Sequence, residues 1–290
     1  MSGHVEDVAI ITDSTCDIPR GLVEKYGIIV VPLYVVWGEE ELLDGRDIDN
    51  PTFYARLPGD PIHPKTSQPT PADFVEVIRG TEAREVVVIT ISRELSGTYA
   101  SAHQAQGMVD VPVHVVDSYS LSMGLGWQVL AAARARERGG GVERIIAAAD
   151  RVRERMSLLL TVDTLEYLHR GGRIGGAAKL LGSVIQLKPL LGINHATGTL
   201  EAVEKIHTRG KALRRVVEET FQRVDPGKPM RVAIVHAAAL EDARRLLEEI
   251  EGRYEPLEVL VTEITPVLGV HGGPGLVGIC AYNEGAAVGV

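Results

Sequence analysis

Cysteine is nearly absent from this 290-residue chain: Cys16 and Cys280 are the two, too few and too far apart for a disulfide framework or a zinc cluster. Each is expected to be a small buried residue. A basic surplus is missing as well. The formal net charge is −9 and the pI is near 5.5, which argues against a nucleic-acid binder that tracks phosphates. No uninterrupted apolar run approaches the roughly 18 residues of a membrane span. The opening stretch "MSGHVEDVAIITDS" has no basic region followed by an apolar one, so a soluble, cytoplasmic protein is expected. Also missing are GxxxxGK[ST], HExxH, GxSxG and closely spaced cysteine pairs. The sequence therefore carries no mark of an ATP-handling or metal-dependent enzyme, and no cofactor is expected.

What is present is a chain with 45% hydrophobic residues, near the size at which one core gives way to two. Val8 to Thr12, Val86 to Ile91 and Val113 to Val116 are short, β-branched apolar runs with helical spacing between them, the pattern of buried parallel strands. Helical periodicity covers Ser122 to Arg138 and Val142 to Met156, broken by Gly139-Gly140-Gly141. After Met156 the elements mix without regular alternation. The reading is an α/β protein of two domains: residues 1–156 a Rossmann-like parallel-sheet domain, and residues 157–290 a mixed α+β domain.

In "PKTSQPTPADF", Thr70, Pro71 and Asp73 occupy the preferred N-cap, first and third positions of a helix. Thr66 and Ser67 lie upstream of that cap, unexplained by helix formation, and are candidates for a ligand contact. Ligands of an open parallel sheet bind beyond the carboxyl ends of its strands. Asp13-Ser14-Thr15, Ser92 to Thr98 and Asp117-Ser118 all fall there. Asp13 and Asp117 are read as caps or loop ties. Ser96 and Gly97 open a helix and offer a hydroxyl and an unobstructed N–H, while a plain cap remains an equal reading of Ser96. His271, in "VLGVHGGPG", is either a loop residue or a partner of Ser96 and Thr66, a donor set suited to a carboxylate. Two motifs fail. "GPGLVG" precedes a strand rather than a helix, and "DSTCD" spaces its acids four apart where aspartyl phosphatases space them by two.

Six stretches in order carry a resemblance: "TDSTCDIP" (12–19), "KTSQPTPADF" (65–74), "ISRELSGTYASA" (91–102), "VDSYSLSMGLG" (116–126), "YLHRGGRIGG" (167–176) and "GVHGGPGLVGI" (269–279). Over essentially its whole length the chain resembles the DegV family, the fatty-acid-binding subunits of bacterial fatty-acid kinase. It departs at Ile18, where Leu is usual. The resemblance implies a two-domain fold of the EDD type with a long-chain fatty acid between the domains. It implies that Thr66, Ser96, the Gly97 N–H and His271 hold the carboxylate. Arg170 and Arg173 would lie near the head-group opening, toward a separate ATP-dependent kinase subunit that makes the acyl phosphate; a solvated loop is the other reading of both. Leu158 to Leu160, Ile185, Leu187, Leu190, Leu191 and Ile193 would line an apolar tunnel or serve as ordinary core.

Two other functional classes remain: a hydrolase or phosphotransferase using Asp13, Ser96 or His271, and a sensor or scaffold whose lipid is structural. The basic cluster Lys205 to Arg215, with Lys211, Arg214 and Arg215, is read as a solvated helix face or a contact for anionic lipid or the kinase.

Overall fold

The structure is a computed structural model in which residues 7–180 and 187–285 are described. The first seven strands are β1 (Val8–Asp13), β2 (Ile28–Val31), β3 (Tyr34–Trp37), β4 (Glu40–Leu43), β5 (Lys65–Ser67), β6 (Glu85–Thr90) and β7 (Val113–Asp117). Four of them form a wholly parallel sheet in the order β2-β1-β6-β7. Every residue of β1 is buried, as a strand covered on both faces requires. The helices of this half are α1 (Arg20–Lys25), α2 (Asn50–Arg56), α3 (Pro71–Arg79), α4 (Thr98–Gln106), α5 (Met123–Glu137) and α6 (Val142–Arg153). Phe74, Val75 and Ile78 of α3 and Ala102 and Ala105 of α4 pack on Ile11, Val86 and Val88. Helices α5 and α6 cover the opposite face.

The expected parallel strands and the two helices are thus present, with displaced ends. Ile91 leaves the sheet because its N–H donates to the buried Asp13 carboxylate at 2.8 Å. Helix α6 stops at Arg153 because Met156 begins the next strand. The antiparallel sheet β4-β3-β5 was not expected from the sequence, since its strands span only three or four residues each.

The second half contributes β8 (Met156–Thr161), β9 (Leu190–Asn194), β10 (Thr199–Glu204), β11 (Met230–His236), β12 (Glu258–Glu263) and β13 (Val277–Asn283). Its helices are α7 (Glu166–Arg170), α8 (Arg209–Arg223), α9 (Leu240–Arg253) and α10 (Pro266–Gly272). The strands make one mixed sheet, β10-β9-β8-β13-β11-β12, antiparallel except for the β11–β12 pair. Helices α8 and α9 cover one face through Val216, Val217, Leu246 and Ile250. The other face looks toward the parallel sheet, with α5 between them touching β1, β6 and β8.

A helix packed between two sheets is buried all round, and Met123 through Leu130 of α5 are. Gly126 permits this approach. A Cβ there would stand 2.5 Å from the Cys16 carbonyl oxygen. Both cysteines are free and buried, and burial pushes both thiols up from their ordinary value.

Candidate functional site

Alternation along β8 sends Leu158 and Leu160 to the face between the sheets and Leu159 to the α8 side. Above the first two lies a cavity whose outline encloses about 910 Å³ of empty space, part of it open to solvent. Its walls come from both halves of the chain. Leu33, Ile91, Leu95, Leu121 and Ser122 follow the carboxyl ends of the parallel strands β2, β6 and β7, where such sheets place ligands. The mixed sheet gives Leu158, Leu160 and Val235, and α10 gives Val267, Leu268, His271 and Gly272.

The polar groups gather on one part of this apolar wall. They are Thr66, Ser67 and Gln68 of β5 and its exit, Ser96, Arg173 and His271, with Ser122 set apart on the β7–α5 turn. Thr66 reaches the site because β5 pairs with β3 in the register Val35↔Thr66. Its Oγ1 lies 2.8 Å from His271 Nε2, a contact between residues 205 apart in sequence. Pro64 and Pro69 flank the strand, and Thr70 caps α3 in a capping box with Asp73. Thr66 and Ser67 are therefore the leftover hydroxyls of this segment, and Thr66 is the one that meets His271.

Burial lowers the pKa of His271 to about 4, and the nearby positive charge of Arg173 acts in the same direction. The ring is neutral at pH 7. Nδ1 has no partner, and Gly171 fits against it: a Cβ at Gly171 would stand 2.0 Å away. Among the described residues, Arg173 supplies the one permanent charge on the cavity wall; its Nε donates to the Leu95 carbonyl at 3.3 Å and an Nη to the Gly171 carbonyl at 3.0 Å. Ser96 Oγ stands 2.8 Å from Thr98 Oγ1 and accepts the Thr98 N–H at 3.3 Å. The N-cap of α4 is Gly97, not Ser96. Gly97 lies on the outer side of Ser96, against Gln68, in a second concavity shared with Arg93, Gly172, Arg173 and Gly175.

Thr66, Ser96, Arg173 and His271 are thus brought to one cavity, whereas Gly97 is not among its lining residues and belongs to the second concavity. Arg170 is not among the lining residues. It pairs with Glu166 one helical turn away in α7, because α7 ends at Gly171 and the chain turns before Arg173. Asp13 and Asp117 tie loops: Asp13 accepts from Thr15 and Ile91, and Asp117 accepts from Arg93 at 2.5 Å and from the Tyr119 N–H at 2.9 Å.

Of the tunnel candidates, Leu187, Leu190, Leu191 and Ile193 are core rather than cavity wall, and Leu159 faces α8. Ile185 lies outside the described residues. Sequence reasoning missed Gln68, Ser122 and the apolar face of α10; the first two do lie inside quoted motifs. In the basic cluster, Arg215 pairs with Glu204, Glu218 and Glu219, Lys211 lies 3.9 Å from Glu204, and Arg209 pairs with Asp242, which leaves Lys205 and Arg214 as exposed cations outside these pairs.

The arrangement is suited to an amphiphile with an anionic head. A carboxylate replaces lost water with hydroxyls, a ring N–H and one guanidinium, while the walls accept an alkyl chain. It is poorly suited to nucleophilic catalysis. Ser96 contacts Thr98 rather than a base, and His271 contacts Thr66 with no carboxylate orienting it. Among the described residues, no cluster of three His, Cys, Asp or Glu could hold a metal ion, and no helix is long and apolar enough to cross a membrane.

Comparison with known proteins agrees over the whole architecture. A family model described as "Uncharacterised protein, DegV family" matches residues 7–284. A DegV domain-containing protein of Streptomyces coelicolor is 40% identical over 289 residues, 98% of this chain and 100% of the relative. Among solved structures, a DegV family protein from Thermus thermophilus described by its fatty-acid binding superimposes with a TM-score of 0.88 at 32% identity, covering 96% of this chain and 100% of the other. DegV of Bacillus subtilis, described as a fatty acid binding protein, gives 0.89 at 32% identity with the same coverage.

Proposed function

The chain belongs to the DegV family, and from that premise we propose that it binds a long-chain fatty acid in the inter-sheet cavity and presents the carboxylate to a separate ATP-dependent kinase for conversion to acyl phosphate. The observation that carries the reading is the polarity of the cavity. One apolar enclosure has the hydroxyls of Thr66, Ser67 and Ser96, an imidazole and a guanidinium on one part of its wall, with Arg173 and the exposed Gly97 facing outward.

In this reading the head group lies against Thr66 Oγ1, Ser96 Oγ, His271 and the Gly97 N–H, with Arg173 compensating its charge. Neutral His271 donates or accepts without adding a buried cation to the exposed one of Arg173. The tail supplies affinity. About 16 carbons at about 0.8 kcal/mol per CH₂ give a gross term on the order of 12 kcal/mol, offset by ordering and association. The outward side of the head group, framed by Gly97, Gly172, Arg173 and Gly175, is where the kinase would deliver phosphate, and the chain itself has no nucleotide-binding motif to do so. The protein is a lipid carrier of the cytoplasm, in transient contact with membrane surfaces.

Two substitutions test this. Ser96→Ala and Thr66→Ala each weaken fatty-acid binding and kinase-dependent acyl phosphate formation while the fold persists, and the pure protein turns over no acyl or phosphoryl ester. Full binding by the double variant refutes the site; turnover by the chain alone restores the hydrolase or phosphotransferase reading.

A further inference from the structure

The stretch "TDSTCDIP" is one of the chain's most distinctive, yet none of residues 12–19 lines the cavity. Its polar groups converge with Asp44 on the start of α10 instead. Asp17 Oδ1 accepts the Thr265 N–H at 2.9 Å, and Oδ2 accepts the Ser122 hydroxyl at 2.5 Å. Asp44 Oδ1 accepts the Val267 N–H at 3.3 Å, and Oδ2 accepts the Ser14 hydroxyl at 2.6 Å. The Thr265 hydroxyl donates to the Ser14 carbonyl at 3.2 Å, and that of Thr262 to the Asp17 carbonyl at 2.9 Å.

Helix starts leave N–H groups without intrahelical partners. Pro266 has none to offer, and those of Thr265 and Val267 are both taken by carboxyl groups from the first half of the chain. Both aspartates are buried, at 4% and 3% exposure. Asp17 also adopts φ +49°, a left-handed conformation that Asp tolerates better than most residues. The helix so held carries Val267, Leu268 and His271 on the cavity wall, and Ser122, the donor to Asp17, lines the same cavity.

We propose that Asp17 and Asp44 are positioning residues for the head-group site: they clasp the start of α10 and so set His271 against Thr66. The proposal rests on the reading that this pair receives the carboxylate.

The clasp is linked to protons. The titratable groups facing it are Asp13, Cys16 and Tyr54, with Glu263 beyond Tyr54, none of them a cation, and the two aspartates also face each other. Burial, reinforced by neighbouring acids, raises Asp17 to about 8 and Asp44 to about 7. A carboxyl whose folded-state pKa is raised contributes stability at low pH that is lost as pH rises from about 4 toward that value. The pair therefore ionises as pH climbs through 7 to 8, which strengthens each accepted N–H bond but sets two buried like charges facing each other, so its hold on α10 changes in that window.

The test follows the His271 ring by NMR in the full chain labelled with ¹⁵N-histidine, between pH 6 and 9, together with binding of cis-parinaric acid. The ring's own titration lies near 4, so any movement in this window reports its surroundings. Wild type is expected to shift above pH 7. Asp17→Asn with Asp44→Asn, mimicking the protonated pair, keeps the low-pH signal throughout. Asp17→Ala and Asp44→Ala displace the signal at every pH and weaken binding about tenfold or more; if either fails to fold, the Asn variant decides. An unchanged His271 signal across pH in wild type and Asn variant alike overturns the proposal. Absence of cis-parinaric acid binding by wild type counts against the lipid reading alone, since the NMR signal needs no ligand.

Discussion

Thr66→Val isolates the central contact with little disturbance of the fold. Valine keeps the β-branched shape that β5 uses opposite Val35, and the strand's backbone pairing with β3 does not involve the side chain. What is lost is one hydroxyl, 2.8 Å from His271 Nε2 and on the cavity wall. A hydrogen bond to a charged group contributes about 1.5–3 kcal/mol, so removal from a bound carboxylate weakens Kd by about ten- to a hundredfold. Isothermal titration with palmitate measures it, and a fatty alcohol of equal length serves as a control that lacks the charge. The loss should be much smaller for the alcohol. Combination with Ser96→Ala should be less than additive, because both hydroxyls serve one carboxylate. Unchanged palmitate affinity in Thr66→Val, with the fold intact, refutes the placement of the head group.

Other consequences are equally open to measurement. Leu158→Phe narrows the cavity, and at about 0.8 kcal/mol for each methylene excluded it shifts preference toward shorter acids; an unaltered chain-length ranking contradicts the wall assignment. Arg173→Gln should weaken fatty-acid binding and acyl phosphate formation, whereas Arg170→Gln, which breaks a surface pair with Glu166, should leave both within about twofold, and equal effects would show the two arginines wrongly separated. The rings of His271 and His195, whose pKa values burial lowers to about 4, should stay neutral from pH 8 to 5. Each stabilises the fold at neutral pH and loses that contribution as pH falls from about 6.5 toward 4, so a titration midpoint above 6 for either ring would refute its burial.

The parts of the fold most legible in the sequence were those with a strong local cause. The three apolar runs became parallel strands because they are β-branched, with β1 and β6 buried on both faces and β7 half-buried at the sheet edge, and Thr70 became a cap because Pro71 and Asp73 surround it. With Thr70 explained as a cap, Thr66 and Ser67 remain as ligand candidates, and the structure puts Thr66 against His271. Where both faces of a strand are covered, the sequence does not say which face meets the cavity. Leu158 and Leu159 are alike as letters, yet only Leu158 meets it. Leu190 and Leu191 are core for the same reason.

Short elements were illegible in another way. His271 read as a residue near a glycine turn, but it lies in the last turn of a seven-residue helix too short to show a period, and β3 to β5 are shorter still. Arg170 and Arg173 differ by three positions and by the turn at Gly171, which only the folded chain reveals. The role of Asp17 was hidden because its partners, Ser122 and Thr265, are 105 and 248 residues away.

The most direct test is to denature the purified protein, extract it with organic solvent and record the mass spectrum of what is released. The account predicts a long-chain fatty acid in near-stoichiometric amount, or its uptake when fatty acids are added back. An empty extract, with no binding on addition, would contradict it.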